Sequence, residues 1–463
     1  MPNRRPAFHL SALALIATSL LAVAHAQRAP DPNTLVPAGV ERYAPSGFPD
    51  RIVATPAQDA SRGFAVAWRT GAQVESPWLE IAVAGDSPDL GEHARRIRAA
   101  TRPLDTENGL AHHHRVDVDA LEPGTLYAYR VQGADTWSPW MQLRTGGAAD
   151  EPLTLLYFGD TQNQNASLTT RVTLEALRHA PDARLAVFTG DQVSGGDGED
   201  DNEWGEWFDA VAPVPAMMLT AAATGNHEFF EEFEDTPRER RVLAEPWKVN
   251  FAHPGNGAPG EVTTHTTYWF DMQGVRVVVL DGTSVLDLET GPAQARWLDG
   301  VLSDNPRRWT IAMVHQPMYS PREGRDNALL REHLLPVLER HAVDLVLQGH
   351  DHTYGRRAGE AGAATPQYLV SVAGAKQYRL SELARDTMDP VAEDTQLFQV
   401  IRLDAGSLHY EARTATGRLY DAFQLHIEPD GSRRLVEIEA GRIDPRSCGR
   451  AATLKGRADR CWE

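Results

Sequence analysis

Five strand-like apolar segments of this 463-residue chain are each followed by polar side chains of the types that bind metal ions. In chain order these polar residues are Asp160, Asp191, Asn226, His315, and His350 together with His352. The carboxyl ends of strands in an α/β sheet lie along one edge, where ligands and catalytic groups gather. We therefore expect these side chains, although distant in sequence, to meet at one site.

The chemistry of this set indicates a metal centre. A single aspartate after a strand usually caps a helix and a single histidine is more often structural, but five such positions in order favour a shared site. Carboxylates, an amide oxygen and imidazoles without a thiolate suit manganese, iron or zinc. The size of the set predicts two divalent or trivalent ions that share a carboxylate. Glycine precedes Asp160, Asp191, Asn226 and His350, and tight turns at glycine can bring these side chains to the metals.

The surrounding pattern predicts an α/β domain behind a small all-β domain. From residue 153 onward, strand-like apolar runs alternate with helix-length segments, among them a predicted helix over 327–341. From residue 396 strands return without helices, and they either join the sheets of the α/β domain or form a third β unit; their proximity favours the former. Between residues 51 and 145, short strands bounded by turn residues predict a β-sandwich.

The first 26 residues have the pattern of a secretory signal peptide. Arg4 and Arg5 precede an apolar run over 10–23, and Ala24-His25-Ala26 forms a cleavage pattern of small residues. A membrane anchor is the alternative, but the run is shorter than the roughly 20 residues that a spanning helix needs. We predict an exported protein, periplasmic or secreted, without a membrane-spanning segment.

The chain is acidic, with a formal net charge of −19. An acidic surface disfavours binding to a nucleic-acid duplex, whereas a small phosphate ester needs only a local positive centre. We interpret the acidic run over 197–203 as a solvated loop rather than a calcium site. Cys448 and Cys461 predict a small disulfide near the C-terminus. The sequence leaves the oligomeric state open.

The five motifs together resemble a known family. In order, Gly-Asp, Gly-Asp, Gly-Asn-His-Glu, Val-His and Gly-His-Asp-His are similar to the five blocks of the calcineurin-like metallophosphoesterases. The fibronectin type III-like β-sandwich and the stretches 315–319 and 349–354 resemble the purple acid phosphatase-like branch. Together with the sequence pattern, the resemblance predicts four segments: a signal peptide at 1–26, a fibronectin type III-like domain at 27–148, a metallophosphoesterase-type α/β sandwich at 149–435 and a tail at 436–463.

The resemblance also implies roles for individual residues. Asp191 would bridge two metals, Asn226, His315 and His350 would complete one site, and Asp160 with His352 would hold the other. Hydroxide activated by the metals would attack phosphorus in line, and His227 would bind the phosphate or protonate the leaving oxygen. The implied activity is that of an acid phosphatase-like phosphomonoesterase. A phosphodiesterase or nucleotide-cleaving enzyme of the same fold, and a catalytically inactive exported binding protein, stay open as alternatives.

Two positions depart from the family's pattern. Purple acid phosphatases have a tyrosine three residues after the bridging aspartate, and this tyrosine ligates ferric iron; here the position is Ser194. The wider family has a histidine two residues after the first aspartate, and here the position is Gln162. Either the amide oxygen of Gln162 or a water would fill that coordination position. We expect a colourless protein.

Overall fold

The computed structural model describes residues 41–233, 236–359 and 364–447. The predicted signal peptide at 1–26, together with Cys448 and Cys461, lies outside the described residues. Within the ranges described, no helix combines the length and the apolar character that crossing a bilayer requires.

The first domain is a sandwich of two antiparallel four-stranded sheets. One sheet contains, in spatial order, β1 (Asp50–Pro56), β2 (Phe64–Gly71), β6 (Gly109–Val118) and β5 (Ala100–Thr106). The other contains β4 (Arg95–Arg98), β3 (Trp78–Val83), β7 (Leu126–Val131) and β8 (Met141–Arg144), with the short helix α1 (Leu90–His93) before β4. Alternate residues of β2 (Phe64, Val66 and Trp68) lie in the buried core, as the two-residue repeat of a strand requires.

The second domain contains two seven-stranded sheets. One has the order β11 (Leu219–Ala222), β10 (Leu185–Phe188), β9 (Leu153–Phe158), β21 (Leu397–Leu403), β22 (Ser407–Thr414), β23 (Leu419–Ile427) and β24 (Arg433–Glu437). The other has the order β14 (Tyr268–Met272), β15 (Val275–Val279), β16 (Trp309–Met313), β17 (Leu345–Gln348), β19 (Gln367–Val370), β18 (Tyr354–Ala358) and β20 (Val391–Ala392). A separate hairpin pairs β12 (Phe229–Glu232) with β13 (Arg240–Leu243).

Ten helices of this domain are described among the same residues. They are α2 (Thr170–His179), α3 (Asp201–Val211), α4 (Val214–Met217), α5 (Glu245–Asn250), α6 (Thr263–Thr266), α7 (Gly282–Asp287), α8 (Gly291–Ser303), α9 (Ala328–His333), α10 (Leu335–Arg340) and α11 (Glu382–Thr387). The predicted helix over 327–341 is therefore two helices. Pro336 lies in the first turn of α10, and proline has no N–H to continue the hydrogen-bond ladder of α9.

The two large sheets form a layered core with helices on the outside. Leu155 and Tyr157 of β9 belong to the cluster that lies between the sheets, whereas Leu156 and Phe158 pack with the helix α3 residue Trp207 on the outer face. All six residues of β9 are buried because both faces of the sheet are covered. The fold predicted from the sequence, an α/β sandwich behind a small all-β sandwich, is confirmed.

The late strands join the α/β domain. Strand β21 pairs antiparallel with β9, and β22, β23 and β24 extend the sheet beyond it. Strand β24 runs to Glu437, past the predicted domain end at residue 435.

A buried ionic cluster joins the two domains. Asp201, at the start of α3, pairs with Arg51 (2.6 Å) and Arg69 (2.8 Å) of the β-sandwich, and at most 2% of each of the three side chains is exposed. Glu107, in the turn between β5 and β6, accepts hydrogen bonds from the backbone N–H groups of Asp201 and Asn202, both at 3.0 Å. The sandwich therefore holds the N-terminus of a helix of the second domain.

Candidate metal centre

The predicted ligand residues come from loops at the carboxyl ends of strands in both large sheets. Asp160 follows β9, Asp191 follows β10, and Asn226 begins a short 3₁₀ turn over Asn226–Glu228 after β11. His315 follows β16, and His350 and His352 follow β17. The structure brings all six residues to one rim, and this rim belongs to two sheets packed against each other.

The backbone at this rim is strained. Asp191, His350 and His352 have φ angles of 49°, 69° and 47°, in the left-handed region that non-glycine residues rarely adopt. Such conformations cost about 1–3 kcal/mol each and concentrate at functional sites. A side chain at Gly225 would collide with the carboxylate of Asp191, so the close approach of the two loops requires glycine there.

Two overlapping groups of three residues can each hold a metal ion. Asp191, His315 and His350 form one group, and Asp160, Asp191 and His352 form the other. Within each group the ligand atoms all lie within 4.8 Å of one another. His315 Nε2 lies 3.2 Å from Asp191 Oδ2, and His352 Nε2 lies 3.1 Å from Asp160 Oδ2. Asp191 belongs to both groups, as a carboxylate shared by two ions would.

The tautomers of two histidines are set by backbone carbonyls. His315 Nδ1 lies 2.7 Å from the carbonyl oxygen of Thr189, and His352 Nδ1 lies 2.9 Å from that of Lys376. A carbonyl oxygen only accepts, so each Nδ1 carries a proton and each Nε2 faces the cluster, where its unprotonated form would bind a metal. Both imidazoles are therefore oriented as metal ligands.

Two buried oxygens of the predicted ligand residues have no hydrogen-bond partner among the described residues. They are Asp160 Oδ2 and Asn226 Oδ1. A buried acceptor without a donor costs free energy comparable to a lost hydrogen bond, of order 1–3 kcal/mol. A metal ion is the partner that both oxygens lack, so the donor set fits the two ions that the sequence predicts.

The electrostatics of the buried centre favour a bound cation. Burial raises the pKa of Asp160 to about 7, although the charge of His315 opposes the rise. Burial also acts to raise the pKa of Asp191, but the positive charges of His315 and His227 outweigh it, and the pKa lies well below the ordinary value. Burial lowers the pKa of His350 and of His352, which keeps both imidazoles neutral and able to bind a metal.

His227 lies beside the ligand residues and is partly open to solvent, with 23% of its side chain exposed. Its Nδ1 lies 2.7 Å from Asp197 Oδ1, and its backbone N–H donates to Asp191 Oδ1 at 3.0 Å. Burial acts to lower the pKa of His227, but the carboxylates of Asp191 and Asp197 outweigh it and raise the pKa. The imidazole is thus held near the centre in a form that can donate a proton.

Two segments of the chain match known domain families. Residues 153–354 match the calcineurin-like phosphoesterase family, and residues 49–145 match the purple acid phosphatase N-terminal domain. The chain therefore contains a calcineurin-like phosphoesterase domain behind a purple acid phosphatase N-terminal domain. Both domains that the resemblance implied from the sequence are confirmed, and the phosphoesterase match supports a phosphoric-ester hydrolase.

Relatives and a solved structure agree with this assignment. The chain is 26% identical over 386 residues to an uncharacterized protein of Mycobacterium tuberculosis, covering 76% of this chain and 66% of the relative. It is 26% identical over 266 residues to acid phosphatase type 7 of Homo sapiens, covering 52% and 56%. The purple acid phosphatase from yellow lupin (Lupinus luteus) seeds shares the fold, with a TM-score of 0.66, 18% identity and coverage of 81% and 74%. The chain thus spans just under two thirds or less of the curated relatives' length.

The two positions that depart from the family's pattern, Ser194 and Gln162, have different contacts in the structure. The Ser194 hydroxyl accepts from Asn163 Nδ2 at 3.0 Å and its backbone N–H donates to Glu203 of α3 at 2.6 Å. The amide of Gln162 reaches the cluster, where Nε2 lies 2.7 Å from Asp191 Oδ2 and 3.3 Å from His352 Nε2. In this orientation the amide nitrogen faces the cluster, and Gln162 can offer its oxygen only after a half-turn of the amide.

Two further residues of the purple acid phosphatase-like centre were not recognised in the sequence. Asp197 belongs to the acidic run over 197–203, and the interpretation of that run as a solvated loop is wrong: Asp197 contacts His227, and Asp201 is buried against arginines. Glu228 is the last residue of the Gly-Asn-His-Glu motif. Its buried carboxylate accepts from the backbone N–H groups of Asp191 (3.0 Å) and Gly225 (2.6 Å) and thereby fixes both loops.

Proposed function

We propose that this chain hydrolyses phosphate esters at a two-metal centre, with phosphomonoesters as the preferred substrates. The observation that carries the proposal is the pair of ligand groups that share Asp191, with the partnerless oxygens of Asp160 and Asn226 beside them. The family match supports a phosphoesterase, and the name of the human relative, acid phosphatase type 7, supports the monoester preference. Small phosphate esters are the proposed substrates of an exported enzyme.

The proposed assignment of ligands follows the two groups. Asp191 would bridge the ions, Asn226, His315 and His350 would complete one site, and Asp160 and His352 would hold the other. Either a water or the amide oxygen of Gln162, after a half-turn of the amide, would fill the remaining position. Iron, manganese or zinc ions bound there would activate a water for attack on phosphorus and neutralise charge on the phosphoryl oxygens. The chain's own residues fix the imidazoles and carboxylates in position, so little reorganisation accompanies the reaction.

The proposed role of His227 is to protonate the leaving oxygen. Its 2.7 Å contact with Asp197 orients the ring and stabilises its charged form. Asp197→Asn keeps an acceptor at this position but removes the negative charge. We expect kcat for an alkyl phosphate to fall about 10- to 100-fold, because its poor leaving group needs the proton, and kcat for an aryl phosphate with a good leaving group to fall much less. Stopped-time assays on both esters measure the difference. Equal losses on both substrates, or loss of metal from the variant, would contradict this role.

The function is tested with an aryl phosphate monoester and a bis-aryl phosphate diester, each assayed with and without a chelator. We expect the metal-loaded protein to cleave the monoester faster than the diester, and chelation to abolish both activities. Asn226→Ala should lower the rate by about 100-fold or more, since it removes a ligand oxygen. Asn305→Ala is the matched control, because Asn305 precedes β16 at the opposite ends of the strands. Failure to cleave either ester with any added metal would support the inactive binding protein instead.

The identity of residue 194 leads to a spectroscopic prediction. Serine cannot form the tyrosinate-to-iron bond that colours purple acid phosphatases, and Ser194 already contacts Asn163 and Glu203. We expect the iron-loaded protein to lack the visible charge-transfer band. An absorption spectrum of protein with measured iron content checks this, and a purple protein would show that another tyrosine binds the metal.

A further inference from the structure

Lys376 lies in the loop after β19 and is the one lysine at the candidate metal centre among the residues that the structure describes. Lys248, Lys376 and Lys455 are the only lysines in a sequence whose other cationic side chains are arginines. The half-buried ammonium group of Lys376 lies 3.4 Å from Gln162 Oε1, and its backbone carbonyl accepts from His352 Nδ1 at 2.9 Å. The residue therefore touches the centre through both its side chain and its backbone.

The charge of Lys376 acts on the whole centre. The positive charge of Lys376 acts to lower the pKa values of Asp160, His352 and His227, although burial raises that of Asp160 and nearby carboxylates raise that of His227. No carboxylate among the described residues forms an ion pair with Lys376. Arg325, which also borders the centre, differs in this respect because Asp351 holds its guanidinium at 2.5 Å.

Metal binding would change the surroundings of this ammonium group. Without metals, the carboxylates of Asp160 and Asp191 attract it. Two bound ions would make the cluster positive, and a half-buried cation beside it would then be unfavourable unless an anion lay between them. A phosphoryl group held at the metals is such an anion. The partly exposed His227 and the half-buried Lys376 are then two side chains outside the predicted ligand set that can donate a hydrogen bond to it.

We propose that Lys376 is a substrate-binding residue whose ammonium group donates a hydrogen bond to a non-bridging oxygen of the phosphoryl group. The proposal rests on the proposed function and adds to it a residue that binds the substrate. A monoester dianion and inorganic phosphate each carry more charge on these oxygens than a diester monoanion. Lys376 therefore selects phosphomonoesters over diesters.

The test compares Lys376→Met with Lys376→Arg and with the matched control Lys248→Met. Lys248 pairs with Glu245 at 2.7 Å on α5, away from the centre. Metal content is measured first, and binding of inorganic phosphate to the metal-loaded protein is then measured by calorimetry. Lys376→Met should keep its metals and bind phosphate about 10-fold or more weakly, as expected for loss of a charge-assisted hydrogen bond. Lys376→Arg should recover part of the affinity, and Lys248→Met should match the wild type.

The ratio of kcat/KM for the aryl monoester to that for the diester is the second readout. In Lys376→Met this ratio should fall about 10-fold, because the substitution lowers kcat/KM for the diester less than it lowers kcat/KM for the monoester. Unchanged phosphate binding with an unchanged ratio would overturn the proposal, and so would loss of the metals from Lys376→Met. Wild-type protein that binds phosphate through Lys376 but cleaves neither ester would refute the proposed function and leave this binding role intact.

Discussion

Asp191→Asn is expected to lower kcat/KM for an aryl phosphate monoester by about 10³-fold or more. Asp191 is the one residue common to both ligand groups, and its Oδ2 lies 3.2 Å from His315 Nε2. Asparagine has nearly the same shape but carries no charge, so both ions lose the same anionic ligand. We also expect the metal content per chain to fall below that of the wild type, as measured by elemental analysis after gel filtration.

The matched control for this prediction is Asp299→Asn. Asp299 is a partly exposed residue of α8 that pairs with Arg340 and with His341, both at 2.8 Å. Exposed ion pairs contribute about 0–1 kcal/mol to stability, so activity and metal content should stay at wild-type levels. An Asp191→Asn protein that kept both ions and a tenth of the wild-type kcat/KM would rule out a bridging role.

Asp201→Asn is expected to lower the free energy of unfolding by about 3–5 kcal/mol. The Asp201 carboxylate pairs with two buried guanidinium groups, those of Arg51 and Arg69. Removing its charge leaves Arg51 buried without a carboxylate, since only Arg69 also pairs with Asp50. Breaking a buried ion pair from one side costs more than the pair itself contributes, because the remaining charge stays desolvated. Urea unfolding followed by tryptophan fluorescence measures the loss.

Asp209→Asn on the same helix serves as the comparison. Asp209 pairs with Arg42, but their side chains are 46% and 68% exposed, so water screens the pair. We expect its loss to change the free energy of unfolding by less than about 1 kcal/mol. Similar losses for the two variants would mean that the interdomain cluster contributes no more than a surface pair.

The sequence best predicts those structural features that a short stretch of residues determines. The six predicted ligand residues, from Asp160 to His352, follow apolar strands and lie in or beside short motifs with glycine. Their meeting at one rim could therefore be expected from the sequence. The break between α9 and α10 was also encoded locally, in Pro336, and was overlooked. The layered fold follows from the same alternation of strand and helix patterns.

Contacts between distant loops could not be predicted in this way. Asp197 looks like one acidic residue among several until the 3₁₀ turn over Gly195–Gly198 brings it to His227. Lys376 has no motif of its own, and its place depends on how β19 runs beside β17. Asp201 was expected in solvent, because a sequence does not show that two arginines of another domain cover it.

The contact between Glu107 and the start of α3 has a consequence for separating the two domains. The start of α3, where Glu107 binds, follows closely on the turn that brings Asp197 to His227. The β-sandwich domain therefore supports the loop that orients the His227 imidazole, and cutting the chain between the domains would free that loop. A second domain moved to another protein would need the turn between β5 and β6 to be moved with it.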